Sequence, residues 1–147
     1  MRVVLCGGPS ATERAMGRDI ERLVTVSVTN QIGKDTLPQL LALLEKADVL
    51  ISPDAGPAHL ANAVGTPVIG LYAATNPERS GPYFSRQWCV NKYDEAARKY
   101  LGKSADQIPW HTKIERKGVM DLITPEDVIR KLDEFMRKRT RQPRRLA

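Results

Sequence analysis

Short apolar runs that alternate with helix-patterned stretches constrain this chain more than any other feature. The runs RVVLC (2–6), LVTVSV (23–28), DVLIS (48–52) and PVIGLY (67–72) are rich in β-branched residues and too short for helices. They predict buried strands. A further strand is predicted at 87–91. Between the runs lie helix signals. Ser10 with Glu13 and Thr36 with Gln39 have capping-box spacing, which predicts helices from 10 to 22 and from 36 onward. Leu37, Leu40, Leu41 and Leu44 repeat on one helical face. A short helix is expected over 58–64, ending at Gly65, and another near 94–101. Thr124-Pro125-Glu126-Asp127 starts a last helix, with a buried stripe expected at Val128, Ile129, Leu132, Phe135 and Met136. Strands alternating with helices give an α/β fold, a Rossmann-like parallel sheet with flanking helices. Ligands of such sheets bind at the carboxyl ends of the strands. The loops at 7–13, 30–36, 52–59 and 73–82 would all fall on that edge.

The 147 residues suit one domain with a real core, and 41% apolar against 27% charged residues excludes a disordered chain. No apolar run approaches the roughly 20 residues of a membrane helix. MRVVLCGGPS is too short in its apolar part for a signal peptide, so cytoplasmic residence is expected. Cys6 and Cys89 form no CxxC pair and no Cys/His cluster. No zinc site and no disulfide is therefore expected, and no cofactor is expected of this chain. The net charge of +6 resides in residues 137–147, RKRTRQPRRLA, which hold six basic residues and no acid. The remaining 17 basic groups balance 17 acids. We expect a domain over 1–136 and a basic tail over 137–147. The neutral body predicts no nucleic-acid partner. The tail suits binding to phosphates on a membrane surface or on nucleic acid, or simple solvation.

The stretch SPDAGPAHLANAVGTPVIGLYAATNP (52–77) carries the chemistry. Asp54 follows a strand, and Gly56-Pro57 opens a helix. The N–H groups of Ala55, Gly56 and Ala58 would then point outward as a phosphate site. Asp54 would repel phosphate, so sugar hydroxyls suit it better. His59 is one turn further on and can donate to a phosphate. The alternative is that Asp54 only caps the helix and His59 is a satisfied buried histidine; spacing alone weighs the two equally. Glu13 has a similar pair of readings, capping or a grip on a ribose diol. Lys34 and Arg79 are cations within reach of phosphate or merely solvated, and Thr75 and Asn76 follow the fourth strand. GxGxxG, GxxxxGK[ST], D-x-D and GxSxG are all missing from the sequence. That argues against a dinucleotide dehydrogenase, a standard ATPase, a metal–diphosphate site and a serine hydrolase.

The run IGKDTLPQLLALLEKADVLISPDAGPAHLANAVGTPVIGLYAATNPERSGPY, with VVLCGGPSATE upstream, resembles the C-terminal half of glycosyltransferase family 9, the bacterial heptosyltransferases of lipopolysaccharide core assembly. The likeness covers residues 2–83 well and the rest loosely. It implies the C-terminal domain of a GT-B enzyme, inverting and metal-independent, with an ADP-sugar donor, typically ADP-heptose. It implies donor contacts from Glu13 to the ribose, from Lys34, Asp35 and Thr36 beside the adenine, and from Asp54, Ala55, Gly56, His59 and Thr75 to the sugar and diphosphate. It places the acceptor site for lipopolysaccharide core or lipid A, and the general base, in an N-terminal domain outside these residues. The domain's first strand also lies outside them, so no catalytic residue is identified here. An exposed sheet edge would favour a homo-oligomer. Two other readings stand beside this one: a non-catalytic nucleotide-binding or interaction module, and a GT-B enzyme using another nucleotide-sugar.

Overall fold

The computed structural model describes residues 2–141. It divides into two units, 1–43 and 44–147, and each is treated separately below. All strand pairs are parallel, as expected, but they form two sheets rather than one, of two and three strands.

In the first unit β1 (Val3–Leu5) pairs with β2 (Val28–Asn30), with Val3 opposite Val28. Helix α1 (Ala11–Leu23) joins them. Ser10 is its N-cap and accepts from the Glu13 N–H at 3.2 Å. The run LVTVSV is corrected by this geometry. Its Leu23 ends α1, and only Val28 enters the strand. Leu23 and Val26 are 82% and 62% exposed, so β-branched composition found neither burial nor a ladder partner there. Helix α2 (Leu37–Lys46) follows Thr36. Gln39 Oε1 accepts from both the N–H and the hydroxyl of Thr36. Of the anticipated apolar face only Leu44 is buried, whereas Leu37 and Leu41 are exposed.

The second unit is built on β3 (Leu50–Pro53), β4 (Val68–Tyr72) and β5 (Val90–Asn91), in that order. Helix α3 (Gly56–Ala63) links β3 to β4. A single helical turn, α4 (Pro77–Ser80), follows β4 and is capped by Asn76. The strand expected at 87–91 shrinks to two residues because Arg86–Trp88 forms a 3₁₀ turn. Helix α5 (Tyr93–Leu101) ends at Gly102, whose φ of 67° is the left-handed conformation that glycine supplies most readily. Helix α6 (Pro125–Arg141) closes the unit. Ile69 of β4 packs on Trp88 and Phe135, with Leu132 partly buried beside them. Tyr93, Ala96, Ala97, Ile114 and Val119 form a second cluster with Ala73.

The α6 stripe needs one correction. Phe135 is buried, but Ile129 and Met136 are 57% and 44% exposed. Asp127 is buried instead, accepting from the Thr124 N–H and pairing with Arg130 and Lys92. Helix α6 runs to Arg141, and Arg139 pairs with Asp48. The rest of the basic tail lies outside the described residues. Both cysteines are free thiols. Among the described residues no helix is long and apolar enough to cross a membrane.

The Thr124 backbone N–H, aided by Arg130 and Lys92, holds the Asp127 carboxyl below its ordinary range. A carboxyl depressed in the folded state stabilises the fold above its unfolded pKa and loses that contribution as pH falls through its folded pKa. Asp127→Asn should therefore lower Tm at neutral pH, and the gap to the parent should close in acid. Thermal scans across pH check this; a gap that persists at low pH contradicts it.

Candidate functional site

The candidate residues fall into two groups. Glu13, Lys34, Asp35 and Thr36 belong to the first unit, and Asp54, Ala55, Gly56, His59 and Thr75 to the second.

In the first group both Glu13 carboxylate oxygens are engaged. Oε1 accepts from the Gly8 N–H at 3.0 Å and Oε2 from the Ser10 hydroxyl at 2.7 Å. These bonds hold its pKa below the ordinary carboxylate value. A Cβ on Gly8 would lie 2.9 Å from Glu13 Oε2, so the glycine pair lets the loop wrap the carboxylate. Glu13 is exposed. Arg14, which the sequence reading passed over, ties the same loop down. Its guanidinium donates to the carbonyls of Pro9 and Gly33, each at 3.1 Å. Lys34 donates to its own loop, at the Asn30 carbonyl. Thr36 is spent on Gln39. Burial, and after it the charge of Asp35, push the Cys6 thiol up.

The second group gathers at the carboxyl end of β3. Asp54 and Ala55 leave the strand, and Gly56-Pro57 starts α3. Pro57 costs nothing there because the first helical turn has no acceptor for its N–H. Ala55, the N-cap, supplies no side-chain cap. Thus Asp54 does not cap the helix. The Ala58 N–H is taken by the Ala55 carbonyl at 3.0 Å, which removes it from the three donors expected for an anion. Those of Ala55 and Gly56 remain at the open helix end. A Cβ on Gly56 would meet nothing within 4 Å, so the space before it is empty.

Asp54 is oriented from both sides. The Ser80 hydroxyl donates to Oδ2 at 2.6 Å, and His59 Nε2 lies 3.6 Å from Oδ1. The His59 side chain is 53% exposed, so it is not a satisfied core histidine. Ser80 is in turn set by Tyr72, whose hydroxyl donates to the Ser80 carbonyl at 3.3 Å. Burial, reinforced by the charges of Asp54 and Cys89, raises the Tyr72 phenol far above its ordinary range, so it acts only as a neutral donor. Thr75 is half-buried in the loop between β4 and α4. Ser80 and Tyr72 were missed in the sequence because neither stands near Asp54 in the chain.

This constellation is not a hydrolase triad. There the serine hydroxyl faces the imidazole, which takes its proton. Here the hydroxyl faces the carboxylate, and the imidazole lies on the other oxygen. The arrangement offers an acceptor at Oδ1 for a ligand hydroxyl, an exposed imidazole, and two N–H groups for an anion. That combination suits a phosphorylated sugar.

Residues 1–111 match the model of glycosyltransferase family 9 (heptosyltransferase). The chain is 43% identical over 129 residues to the lipopolysaccharide core heptosyltransferase OpsX of Haemophilus influenzae, covering 88% of this chain and 37% of that protein. It is 34% identical over 137 residues to lipopolysaccharide heptosyltransferase 3 of Escherichia coli K12, covering 92% of this chain and 37% of the relative. A crystal structure of a family 9 glycosyltransferase from Veillonella parvula superposes with a TM-score of 0.68 at 22% identity, over 93% of this chain and 37% of that one. It supports the α/β fold. The chain thus spans about two-fifths of the length of the relatives it matches.

Proposed function

The chain belongs to glycosyltransferase family 9, and on that premise we propose that it forms the donor-binding part of a GT-B lipopolysaccharide heptosyltransferase using ADP-heptose. The observation that carries the proposal is the oriented Asp54–His59 pair at the open N-terminus of α3. In an inverting transfer, an acceptor hydroxyl attacks the anomeric carbon as ADP departs. Negative charge grows on the leaving diphosphate. The Ala55 and Gly56 N–H groups and a His59 donor would meet that charge without a metal. Asp54 Oδ1 would accept from a heptose hydroxyl and so distinguish the sugar donor from ADP alone. Thr75 is kept as a donor contact. The proposal also keeps the ribose role for Glu13 and the adenine role for the loop of Lys34, Asp35 and Thr36. Glu13 would keep its Ser10 and Gly8 bonds and use its remaining lone pairs.

On this reading these residues bind the donor and transfer nothing unaided; heptosyl transfer by this chain alone would contradict that. The acceptor would be lipopolysaccharide core, and residence cytoplasmic or peripheral on the inner membrane. Ligand binding raises Tm by mass action. ADP should raise the Tm of the chain more than UDP or GDP at equal concentration. Equal shifts with all three would contradict an ADP-sugar donor.

A further inference from the structure

Helix α4 is a single turn, Pro77–Ser80, and a turn that short does not hold itself in water. It is held from outside. Arg86, eight residues from Glu78, donates from Nη2 to the Glu78 carbonyl at 3.0 Å and keeps Nη1 3.9 Å from the Glu78 carboxylate. The Arg86 guanidinium is itself steadied over the Tyr83 ring, 5.3 Å from its centroid. Tyr72, fully buried in β4, donates to the Ser80 carbonyl. At the far end the Gly81 N–H donates to the Pro77 carbonyl at 2.8 Å, and a Cβ on Gly81 would run into that same oxygen. Any larger residue there would force the turn open.

What this bracing delivers is the Ser80 side chain. Its hydroxyl has one proton and two acceptors in reach, Asp54 Oδ2 at 2.6 Å and the Asn76 carbonyl at 3.4 Å. The carboxylate takes the proton's bond, since a charged acceptor makes the shorter and stronger one. The Asp54 side chain is only 20% exposed, so little water competes for its oxygens. A carboxylate held at Oδ2 gives up that bond if it rotates. Oδ1 therefore keeps one direction, with His59 Nε2 3.6 Å away. A freely turning carboxylate accepts from hydroxyls in many places, whereas a fixed one selects those whose placement matches it.

We infer that α4 is a positioning element for sugar selectivity: Ser80 fixes the Asp54 carboxylate, Arg86 fixes the turn that carries Ser80, and the site thereby tells ADP-heptose from other ADP-sugars by the placement of its hydroxyls. Ser80 and Arg86 act through Asp54 and touch no ligand themselves. The inference rests on the donor reading above, in which Asp54 Oδ1 accepts from the donor sugar.

The test is calorimetric titration of the full chain with ADP-heptose, ADP-glucose and ADP, which share the nucleotide and differ in the sugar. The parent chain should bind ADP-heptose more tightly than ADP-glucose. Ser80→Ala should weaken ADP-heptose binding about tenfold and leave ADP binding as it was. Ser80→Thr, which keeps the hydroxyl, should restore the parent's preference. Arg86→Ala should weaken ADP-heptose binding about threefold, through the lost Glu78 bond. In an Asp54→Ala background, Ser80→Ala should have no further effect, because no carboxylate is left to position. A turn that merely supports the fold predicts equal losses for all three ligands and no rescue by threonine. That pattern overturns the inference, as does an ADP-heptose preference that survives Ser80→Ala, or a parent chain that binds ADP-glucose as tightly as ADP-heptose. Failure of the donor reading looks different: the parent chain then binds ADP-heptose no more tightly than ADP, and the inference falls with it.

Discussion

Gly56→Ala is expected to leave the fold intact and to weaken nucleotide-sugar binding about tenfold, the equivalent of about 1.4 kcal/mol. What the added methyl would meet decides the outcome. Beyond its chain neighbours and the adjoining helix backbone, nothing lies within 4 Å of a Cβ built at position 56. The residue has no left-handed φ, so alanine is not strained there. Stability should therefore change by no more than about 0.5 kcal/mol. On the donor-binding proposal, the methyl would crowd a diphosphate approaching the Ala55 and Gly56 N–H groups. A structural role for Gly56 predicts a lower Tm and unchanged affinity; a ligand-approach role predicts the reverse. Thermal scans and calorimetric titration of the same variant separate the two.

Gly70→Ala is expected to do the opposite, destabilising the chain by about 1–3 kcal/mol. Gly70 and Tyr72 lie two apart on β4 and so share a face. The Tyr72 ring leans back over the glycine, and a Cβ there would lie 2.5 Å from Tyr72 Cε2 and 2.9 Å from Cys89 Sγ. Tyr72 is completely buried and its hydroxyl is held by the Ser80 carbonyl. The ring therefore cannot simply swing away. Any shift also passes through Ser80 to Asp54, so the variant should lose sugar recognition along with stability. In a Tyr72→Leu background the added methyl should cost distinctly less, because the ring that opposes it is gone. Equal costs in both backgrounds would show that the clash lies elsewhere.

These two glycines illustrate what could be read before folding and what could not. The D-x-G-x-x-H block was legible because its meaning is local. A strand end, a glycine and a first-turn proline predict an open helix terminus wherever the rest of the chain goes. Its position at the carboxyl end of β3 followed from that. The exposure of His59 did not, since spacing weighed a buried histidine equally. The orientation of Asp54 was not legible, since Ser80 is 26 residues away and Tyr72 acts through Ser80. Arg14 was passed over for the same reason: its partner Gly33 is 19 residues distant.

Among the elements, helices with caps were read to within a residue or two, as at Ser10 and Thr36. The run LVTVSV misled because β-branched residues favour a strand only when a partner and a core face are supplied. Here β1 takes up only Val28–Asn30. The stretch 92–118 yielded its helix but not the turn that the Thr112 N–H closes on the Pro109 carbonyl. That turn depends on the Tyr93 hydroxyl and the Ala74 carbonyl, contacts with no sequence period.

The most direct test of the central claim is a calorimetric titration of the chain with ADP-heptose and with ADP, repeated on Asp54→Ala. The account predicts that ADP-heptose binds more tightly than ADP to the parent chain. It also predicts that Asp54→Ala erases this difference while keeping the affinity for ADP. Equal binding of the two ligands by the parent chain, or a sugar increment that survives Asp54→Ala, would contradict the assignment of Asp54 to the donor sugar.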